Sequence, residues 1–422
     1  MHHEIVIIGG GVVGLAILKQ LTCITKIASQ SILLVEAEKH LVAHASGHNS
    51  GIACTGVDAP LFSLERALVR DSISLMRHHN KVFNLPSRPV GSLVCDWGEG
   101  EEGRLEGILE HSLMAGDCDD EILTVEEALA LEPNINKSIR AALHIKNEVV
   151  VDPWLIPISY ASHAVENGAV IKKNWRVKGA SFDGEAWTLT SSAGEVITAT
   201  YVISATGNHG DSTFSLLSSS PAPFANKPRK GQYTVFKKTS LLTRPLQPIP
   251  TSRTKGVFVF SSLYGNVVAG PTAEDVEERE AATTDAATLT MLKDTGIKCV
   301  PELGKAEIAG SYAGLRPATT ERDYQFHVDA LRNFLSVASI RSTGLTASHG
   351  IGRHAASLMT SVFGIKGEEG REVKVTPFPD VEEMMKEYRE RGDGMVEIPI
   401  LGECFVTHPI TQIGWGGKLM EY

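Results

Sequence analysis

Residues 4–8 (EIVII) are apolar after Glu4, a glycine-rich turn follows at 9–14 (GGGVVG), and apolar residues then recur through LAILKQL before a second mostly apolar stretch, SILLVE, at 31–36. This order predicts strand, turn, helix and strand, one βαβ unit. Residues 61–80 place apolar positions at helical spacing, and Thr124 is set to cap a short helix that Pro133 ends. From Asp152 a helix is expected, then short strands in AVIKKNWRV, AWTLTSS and EVITATYVISATG. Turns at Asp183-Gly184 and Ala193-Gly194 mark hairpins. QYTVFKK, GVFVFSS and NVVAG continue the strand-rich pattern between 222 and 275. Residues 276–300 are expected to be helical and charged, 331–340 a buried strand, and 344–359 a turn leading into a helix. The stretch after 366 is charged at first and apolar again near its end, so it should pack on the body.

With 422 residues, 42% of them hydrophobic and 21% charged, the chain can bury a large core, and two packed domains are expected. A formal net charge of -10 and a pI near 5.9 exclude a general affinity for nucleic acid or anionic lipid, which attract basic surfaces. Cys23, Cys54, Cys95, Cys118, Cys299 and Cys404 are scattered and form no CxxC pair. Neither a metal site nor an iron–sulfur centre has its usual spacing, and reduced thiols in a cytoplasmic setting, with peripheral membrane contact left open, are expected. No apolar run approaches the roughly 20 residues of a membrane-crossing helix. A strand starting at residue 4 leaves no room for a cleavable signal ahead of it.

Gly9, Gly11 and Gly14 form GxGxxG between a strand and a helix, the setting in which the motif points to a dinucleotide. Glycine there permits a tight turn, close backbone approach to a pyrophosphate and close packing of helix on strand. The helix N-terminus then favours the negative charge. Glu36 closes the second strand, where a carboxylate accepts the hydroxyls of an adenosine ribose and repels a 2′-phosphate. NADP is disfavoured, and an NAD-dependent reductase would carry a second GxGxxG unit, which is not found.

ASGHNSG at 45–51, TVEEALALEP, DPW at 152–154, VISATG at 202–207, PRKGQY at 228–233, GPTAED at 270–275, YAGLRPAT at 312–319, RDY at 322–324 and IRSTGLTAS at 340–348 occur in the order found in D-amino-acid-oxidase-type FAD oxidoreductases. The chain resembles that family over residues 4–362, and within it the glycerol-3-phosphate dehydrogenase and L-2-hydroxyglutarate dehydrogenase branch. The resemblance implies an α/β fold: a Rossmann-like FAD-binding domain of the glutathione-reductase type, with an interleaved, mostly antiparallel substrate domain. Residues 1–80, 145–221 and 325–365 would form the first, 81–144 and 222–324 the second, and 366–422 a C-terminal tail. It further implies that Gly9, Gly11, Gly14 and Glu36 hold the ADP half of FAD, that Ser46, Asn49, Ser50 and Gly51 lie along the isoalloxazine, and that Val177 meets the adenine through its backbone. Ala205, Thr206 and Gly207 would pass beneath the cofactor, and Gly344, Leu345 and Thr346 would open a helix toward the flavin N1/O2 edge. Many relatives carry histidine where Cys54 stands, so no covalent attachment through such a histidine is expected and the FAD is expected to be non-covalent. No C-terminal cluster-binding cysteine domain is matched, since the tail holds only Cys404.

By the same resemblance Arg316 and Arg322 would hold a substrate anion over the flavin, a role that suits the planar donor fork of guanidinium. A surface ion pair of Arg322 with Glu321 or Asp323 is the structural alternative. Oxidising a CH–OH carbon also requires a base, for which His48 and His349 are the histidines nearest to the expected flavin positions. Gln232 and Tyr233 are expected on a strand facing the flavin, with Lys230 adding positive potential. The expected reaction is hydride transfer to FAD from a small anionic alcohol, with oxygen, a quinone or another protein as electron acceptor. An amine or amino-acid oxidase of the same fold, or a non-catalytic flavin binder, is the alternative, because fold alone does not decide.

Overall fold

The computed structural model describes residues 2–24, 31–98, 104–117, 119–250, 256–366 and 372–420. Strands His2–Ile8, Ile32–Val35, Val170–Lys172, Val196–Ser204 and Phe334–Ala338 pair in parallel within an eight-stranded sheet. On the first strand Ile5 and Ile7 enter one core, with helices Val12–Ile24, Leu155–Glu166 and Ser348–Ser361. Val6 and Ile8 enter another, with Trp187 and Leu189. Both faces are buried, as the unbroken apolar run requires. The hairpin Val177–Phe182 and Trp187–Ser191 continues this sheet instead of forming a separate layer, because Val196–Ser204 pairs antiparallel at its start and parallel beyond it.

Residues between 92 and 145 and between 229 and 316 supply a nine-stranded sheet, antiparallel except where Leu246–Pro248 runs parallel to Ser92–Asp96. Its long strand Arg229–Lys238 alternates from Arg229 to Val235, where the pairing shifts register. Phe236 packs into a core with Leu292 of helix Ala286–Cys299, whereas Tyr233 and Val235 face Tyr312, Ile410 and Ile413. The expected helix over 276–300 starts only at Ala286. Asp285 caps it by accepting from the Thr288 N–H at 2.9 Å, and Gln232 grips Asp285 through the Asp285 N–H at 2.8 Å and its carboxylate at 2.7 Å. Thr124 does cap its helix, in a full capping box with Glu127.

The tail is structural. Met384, Met385, Tyr388 and Trp415 join the core beside the first sheet, and Ile410 and Ile413 cover the second. Among the described residues Cys23, Cys54, Cys95, Cys299 and Cys404 form no disulfide, and Cys118 lies outside the described residues. Among the described residues no helix is long and apolar enough to cross a membrane.

Asp152 joins these parts. It is 1% exposed, and Oδ1 accepts from the Trp154 and Leu155 N–H groups at 2.8 and 2.7 Å, at the start of the helix Leu155–Glu166. Oδ2 accepts from the Tyr264 hydroxyl of the second sheet at 2.7 Å and from Thr411 of the tail at 3.0 Å. Asp152→Ala leaves these buried donors unpaired, at about 1–3 kcal/mol each before relaxation. Urea denaturation is expected to show a loss of about 3 kcal/mol or more, with Tyr264→Phe losing clearly less. An unchanged midpoint for Asp152→Ala would show that the three parts hold together without it.

Candidate functional site

A cavity of about 440 Å³ lies between the two large sheets. At one end the turn after the first strand comes close to two other backbones. Gly9 has φ +116°, and a Cβ there would sit 2.4 Å from the Ala205 carbonyl oxygen; a Cβ on Gly14 would sit 1.9 Å from the Gly9 oxygen. Only glycine fits either position. Gly11, Val12 and Val13 at the start of the helix line the cavity, where a first helical turn offers free N–H groups. Ser46 Oγ accepts from the Val12 N–H at 3.0 Å. Glu36 lines the same end: its two oxygens accept from the Gly10 N–H at 2.5 Å and the Glu38 N–H at 2.8 Å, while burial pushes its pKa up. Val177 and Ala205–Gly207 complete the wall. A cradle that any Cβ would fill, a helix N-terminus and a recessed carboxylate together fit a dinucleotide.

Residues 276–285, read from sequence as helix, run instead along this end as a strap. Arg279 makes a two-pronged pair with Asp211 at 2.5 and 3.0 Å and also donates to the Asn208 carbonyl at 3.0 Å. Arg176 bridges Glu38 and Glu280, each at 2.8 Å, and His44 Nδ1 donates to the Glu280 carbonyl at 2.9 Å. Arg176, Glu38, His44, Arg279 and Glu280 all line the cavity. The sequence reading missed them: a run of charge on both sides of Arg279 looks the same on a solvated helix.

The other end is built by strand register. Arg229–Lys238 and Ile308–Arg316 pair Tyr233 with Tyr312, Gly231 with Gly314 and Arg229 with Arg316, so these three pairs share one face. The tyrosine rings stack at 4.4 Å, and the Tyr312 hydroxyl donates to the Asn49 carbonyl at 3.0 Å. A Cβ on Gly314 would lie 2.6 Å from that of His48, so this glycine lets the 44–50 loop approach the strand. His48 Nδ1 is 2.8 Å from the His44 carbonyl, which can only accept, leaving Nε2 as the basic nitrogen. Burial lowers the His48 pKa and keeps the ring neutral. Arg316 lines the cavity and donates to the Arg229 carbonyl at 3.5 Å and to the Thr272 carbonyl. It makes no ion pair among the described residues, and burial draws its pKa down.

Of the residues expected at the site, Gly9, Gly11, Glu36, Ser46, Asn49, Ser50, Val177, Ala205, Thr206, Gly207, Gly344, Leu345, His48, Tyr233 and Arg316 line the one cavity. Gly14 and Gly51 support it from behind, Gly51 at φ +68° against the Val151 carbonyl. Thr346 is also behind, where its Oγ accepts from the Cys54 N–H at 3.2 Å. Four expectations are corrected. Arg322 is exposed, and its neighbours in RDY do structural work: half-buried Asp323 accepts from the Leu64 and Glu65 N–H groups at 2.8 Å, and the hydroxyl of buried Tyr324 bonds Thr343 at 2.6 Å. Gln232 and Lys230 have the opposite parity to Tyr233 and turn away, to Asp285 and to Glu274 at 2.8 Å. His349 is packed against Tyr160 and His79, outside the cavity. Glu148 and Gln247, which the sequence reading did not single out, line it.

Residues 4–358 match the family model DAO, described as FAD dependent oxidoreductase. The chain is 30% identical over 373 residues to the glycerol 3-phosphate oxidase of Mycoplasma pneumoniae, covering 85% of this chain and 94% of that protein. It is 28% identical over 292 residues to the mitochondrial L-2-hydroxyglutarate dehydrogenase of Homo sapiens, covering 66% of this chain and 62% of that protein. Among solved structures, dithionite-reduced L-alpha-glycerophosphate oxidase from Mycoplasma pneumoniae with FAD bound superposes with a TM-score of 0.79 at 27% identity, covering 90% of this chain and 99% of that one.

The packing of His349 has a consequence for stability. Lys19 Nζ donates to His79 Nδ1 at 3.2 Å, His79 Nε2 meets Ser159 Oγ at 2.7 Å, and His163 stands edge-on to Phe83 at 5.2 Å. Burial lowers the pKa of His79 and His349 well below the ordinary value, that of His163 to about 4 and that of Lys19 to about 8. The unfolded chain protonates these histidines near pH 6.5, whereas the folded chain holds them neutral to much lower pH. Unfolding therefore takes up protons, and stability falls as pH drops from about 6.5 toward 4, by roughly 1.4 kcal/mol per pH unit for each histidine. Lys19 adds nothing to this slope, since its loss is complete below its folded pKa of about 8. Urea midpoints between pH 7 and 5 should fall less steeply for His349→Phe than for the native chain. Equal slopes would show that His349 is not held neutral.

Proposed function

Because the chain belongs to the DAO family of FAD-dependent oxidoreductases, we propose that it oxidises a small anionic alcohol, glycerol 3-phosphate or a 2-hydroxy acid such as L-2-hydroxyglutarate, bound at the Arg316 end of the cavity. The observation that carries this reading is Arg316: a half-buried guanidinium facing a cavity, hydrogen-bonded to carbonyls, while Asp275, the carboxylate that acts on it, is held in an ion pair by Arg229 at 2.6 Å. Desolvating a cation is costly, and a bound phosphate or carboxylate would offset that cost and use the remaining donors of the fork.

Gly9, Gly11, Gly14 and Glu36 would hold the ADP half of FAD, with Val177 and Ala205–Gly207 along its side and Ser46, Asn49, Ser50, Gly344 and Leu345 nearer the ring. When bound, FAD supplies a two-electron acceptor. The residues of the chain orient and deprotonate. Arg316 fixes the anionic end of the substrate, and His48, neutral and basic at Nε2, is placed to take the hydroxyl proton from the carbon being oxidised. Tyr233 lines this end and stacks on Tyr312, which holds the His48 loop through the Asn49 carbonyl.

The strap gives a test of the cofactor end. Arg279→Ala removes the pair with Asp211, and FAD is expected to leave several-fold faster, followed by the rise of free-flavin fluorescence, while the circular dichroism spectrum stays unchanged. An unaltered release rate would show that the strap does not retain the cofactor. For the substrate end, Arg316→Leu should keep FAD bound but lose about 2–5 kcal/mol of substrate interaction, seen as a collapse of anaerobic flavin reduction by the best anionic alcohol. Lysine there should restore only part of the rate, since it returns charge without the fork. Normal flavin reduction by Arg316→Leu would contradict the anion-binding reading.

A further inference from the structure

His44 reaches both ends of the cavity, one through its ring and the other through its backbone. The ring belongs to the cofactor end. Nδ1 donates to the Glu280 carbonyl of the strap at 2.9 Å, and Nε2 lies 3.3 Å from Glu38 Oε1. Arg176 ties those two glutamates together at 2.8 Å each, so ring, strap and the end of the second strand form one polar group. The backbone belongs to the substrate end. The His44 carbonyl accepts from His48 Nδ1 at 2.8 Å, the contact that leaves Nε2 of His48 as the basic nitrogen.

The backbone between these contacts is not one that a loose loop would keep. Val42 has φ +60° and His44 φ +49°, left-handed values that a β-branched or bulky residue retains only where its surroundings hold it. Val42 is held through its backbone: its N–H donates to the Gly10 carbonyl at 3.1 Å, and its carbonyl accepts from the Thr407 hydroxyl of the tail at 2.8 Å. His44 is held through its ring, and therefore by the strap. With the ring released, its peptide can relax and carry the carbonyl away from His48.

Resting on the reading of His48 as the base, we propose that His44 is a positioning residue: gripped by the strap through its ring, it fixes the carbonyl that orients His48, so that the segment clasping the cofactor end also sets the base at the substrate end. The hydrogen bond has a signature in pH. Burial pulls the His48 pKa down and the His44 carbonyl pulls it part of the way back, while the charge of the His44 ring acts in the lowering direction and counts for less. His408 of the tail and Tyr312 of the second sheet are the other titratable groups beside His48. Losing the carbonyl contact lowers the His48 pKa on balance, so the acid limb of the rate moves to lower pH.

The test is anaerobic flavin reduction by the FAD-loaded protein across pH, with whichever of glycerol 3-phosphate and L-2-hydroxyglutarate reduces the native flavin faster. His48→Gln should slow the limiting rate on the order of a hundredfold or more, the contribution of a general base. His44→Ala should slow it roughly three- to tenfold, the range for one hydrogen bond, with half-saturation by substrate nearly unchanged and the acid limb moved to lower pH. His44→Asn, whose side chain tolerates the left-handed region, should recover part of the rate. Arg279→Ala, assayed with FAD in excess, should slow reduction in the same sense, and the double variant no more than His44→Ala alone, because both cut one link. If His44→Ala does not retain FAD, the rate and acid limb of Arg279→Ala decide the matter. A native limiting rate, an unmoved or raised acid limb, an effect confined to substrate half-saturation, or multiplying effects in the double variant would overturn the proposal while the collapse of His48→Gln kept the base reading. Native reduction by His48→Gln would remove that reading and this proposal with it, and no reduction of native flavin by either substrate would remove the hydroxy-substrate reading as well.

Discussion

The helix at Val12–Ile24 is seated directly on a strand turn, with Gly14 so near the Gly9 carbonyl that a single methyl group would separate them, and Gly9 itself lies against the Ala205 backbone. The rest of the cofactor end follows from that contact. Close seating brings the first helical turn to the cavity wall, sets Val12 within reach of Ser46, and brings Gly10 to the carboxylate of Glu36 at the end of the neighbouring strand. It also aligns the returning strand Val196–Ser204, so that Ala205–Gly207 leave the sheet beside the same turn. A side chain at either glycine would move the helix away from the strand, and the cavity wall would lose its order before any ligand was considered.

The second sheet contributes a comparable constraint. Its paired glycines, Gly231 and Gly314, lie between a tyrosine pair and an arginine pair on one face. The missing side chains let the His48 loop approach, the tyrosines fix that loop through the Asn49 carbonyl, and Arg316 is left facing the cavity with its donors only partly used. Asp152 then ties the first sheet's helix, a turn of the second sheet and the tail to one carboxylate, so that the two walls hold a fixed distance. The contacts that set the two walls against each other therefore lie mostly outside the site.

The cofactor half was legible because its signal is local: strand, glycine turn, helix and a terminal Glu36 follow one another within 36 residues, and each is demanded by backbone sterics. The substrate half was legible only in outline. Strand alternation shows that Lys230, Gln232 and Tyr233 lie on a strand, but not which parity faces the cavity, and the parity chosen for Gln232 and Lys230 was the wrong one. Arg322 sits in a motif whose burial is carried by Asp323 and Tyr324, so position in the motif did not imply position at the site. His349 stands one residue from Ser348 at the start of a helix, and its packing is decided by residues far away in sequence, Lys19, His79 and Tyr160. Glu148, Gln247 and the 276–285 strap meet only through tertiary pairing, which leaves no spacing to read.

The proposed function requires that one cavity hold both FAD, at the Gly9–Glu36 end, and an anionic alcohol, at Arg316. It is tested most directly by the crystal structure of the FAD complex with glycerol 3-phosphate bound to the reduced enzyme. The adenosine ribose is expected on Glu36, the ring beside the 46–50 loop and Gly344–Leu345, and the phosphate on the Arg316 guanidinium. Density for the phosphate at exposed Arg322, or for the flavin outside this cavity, would contradict it.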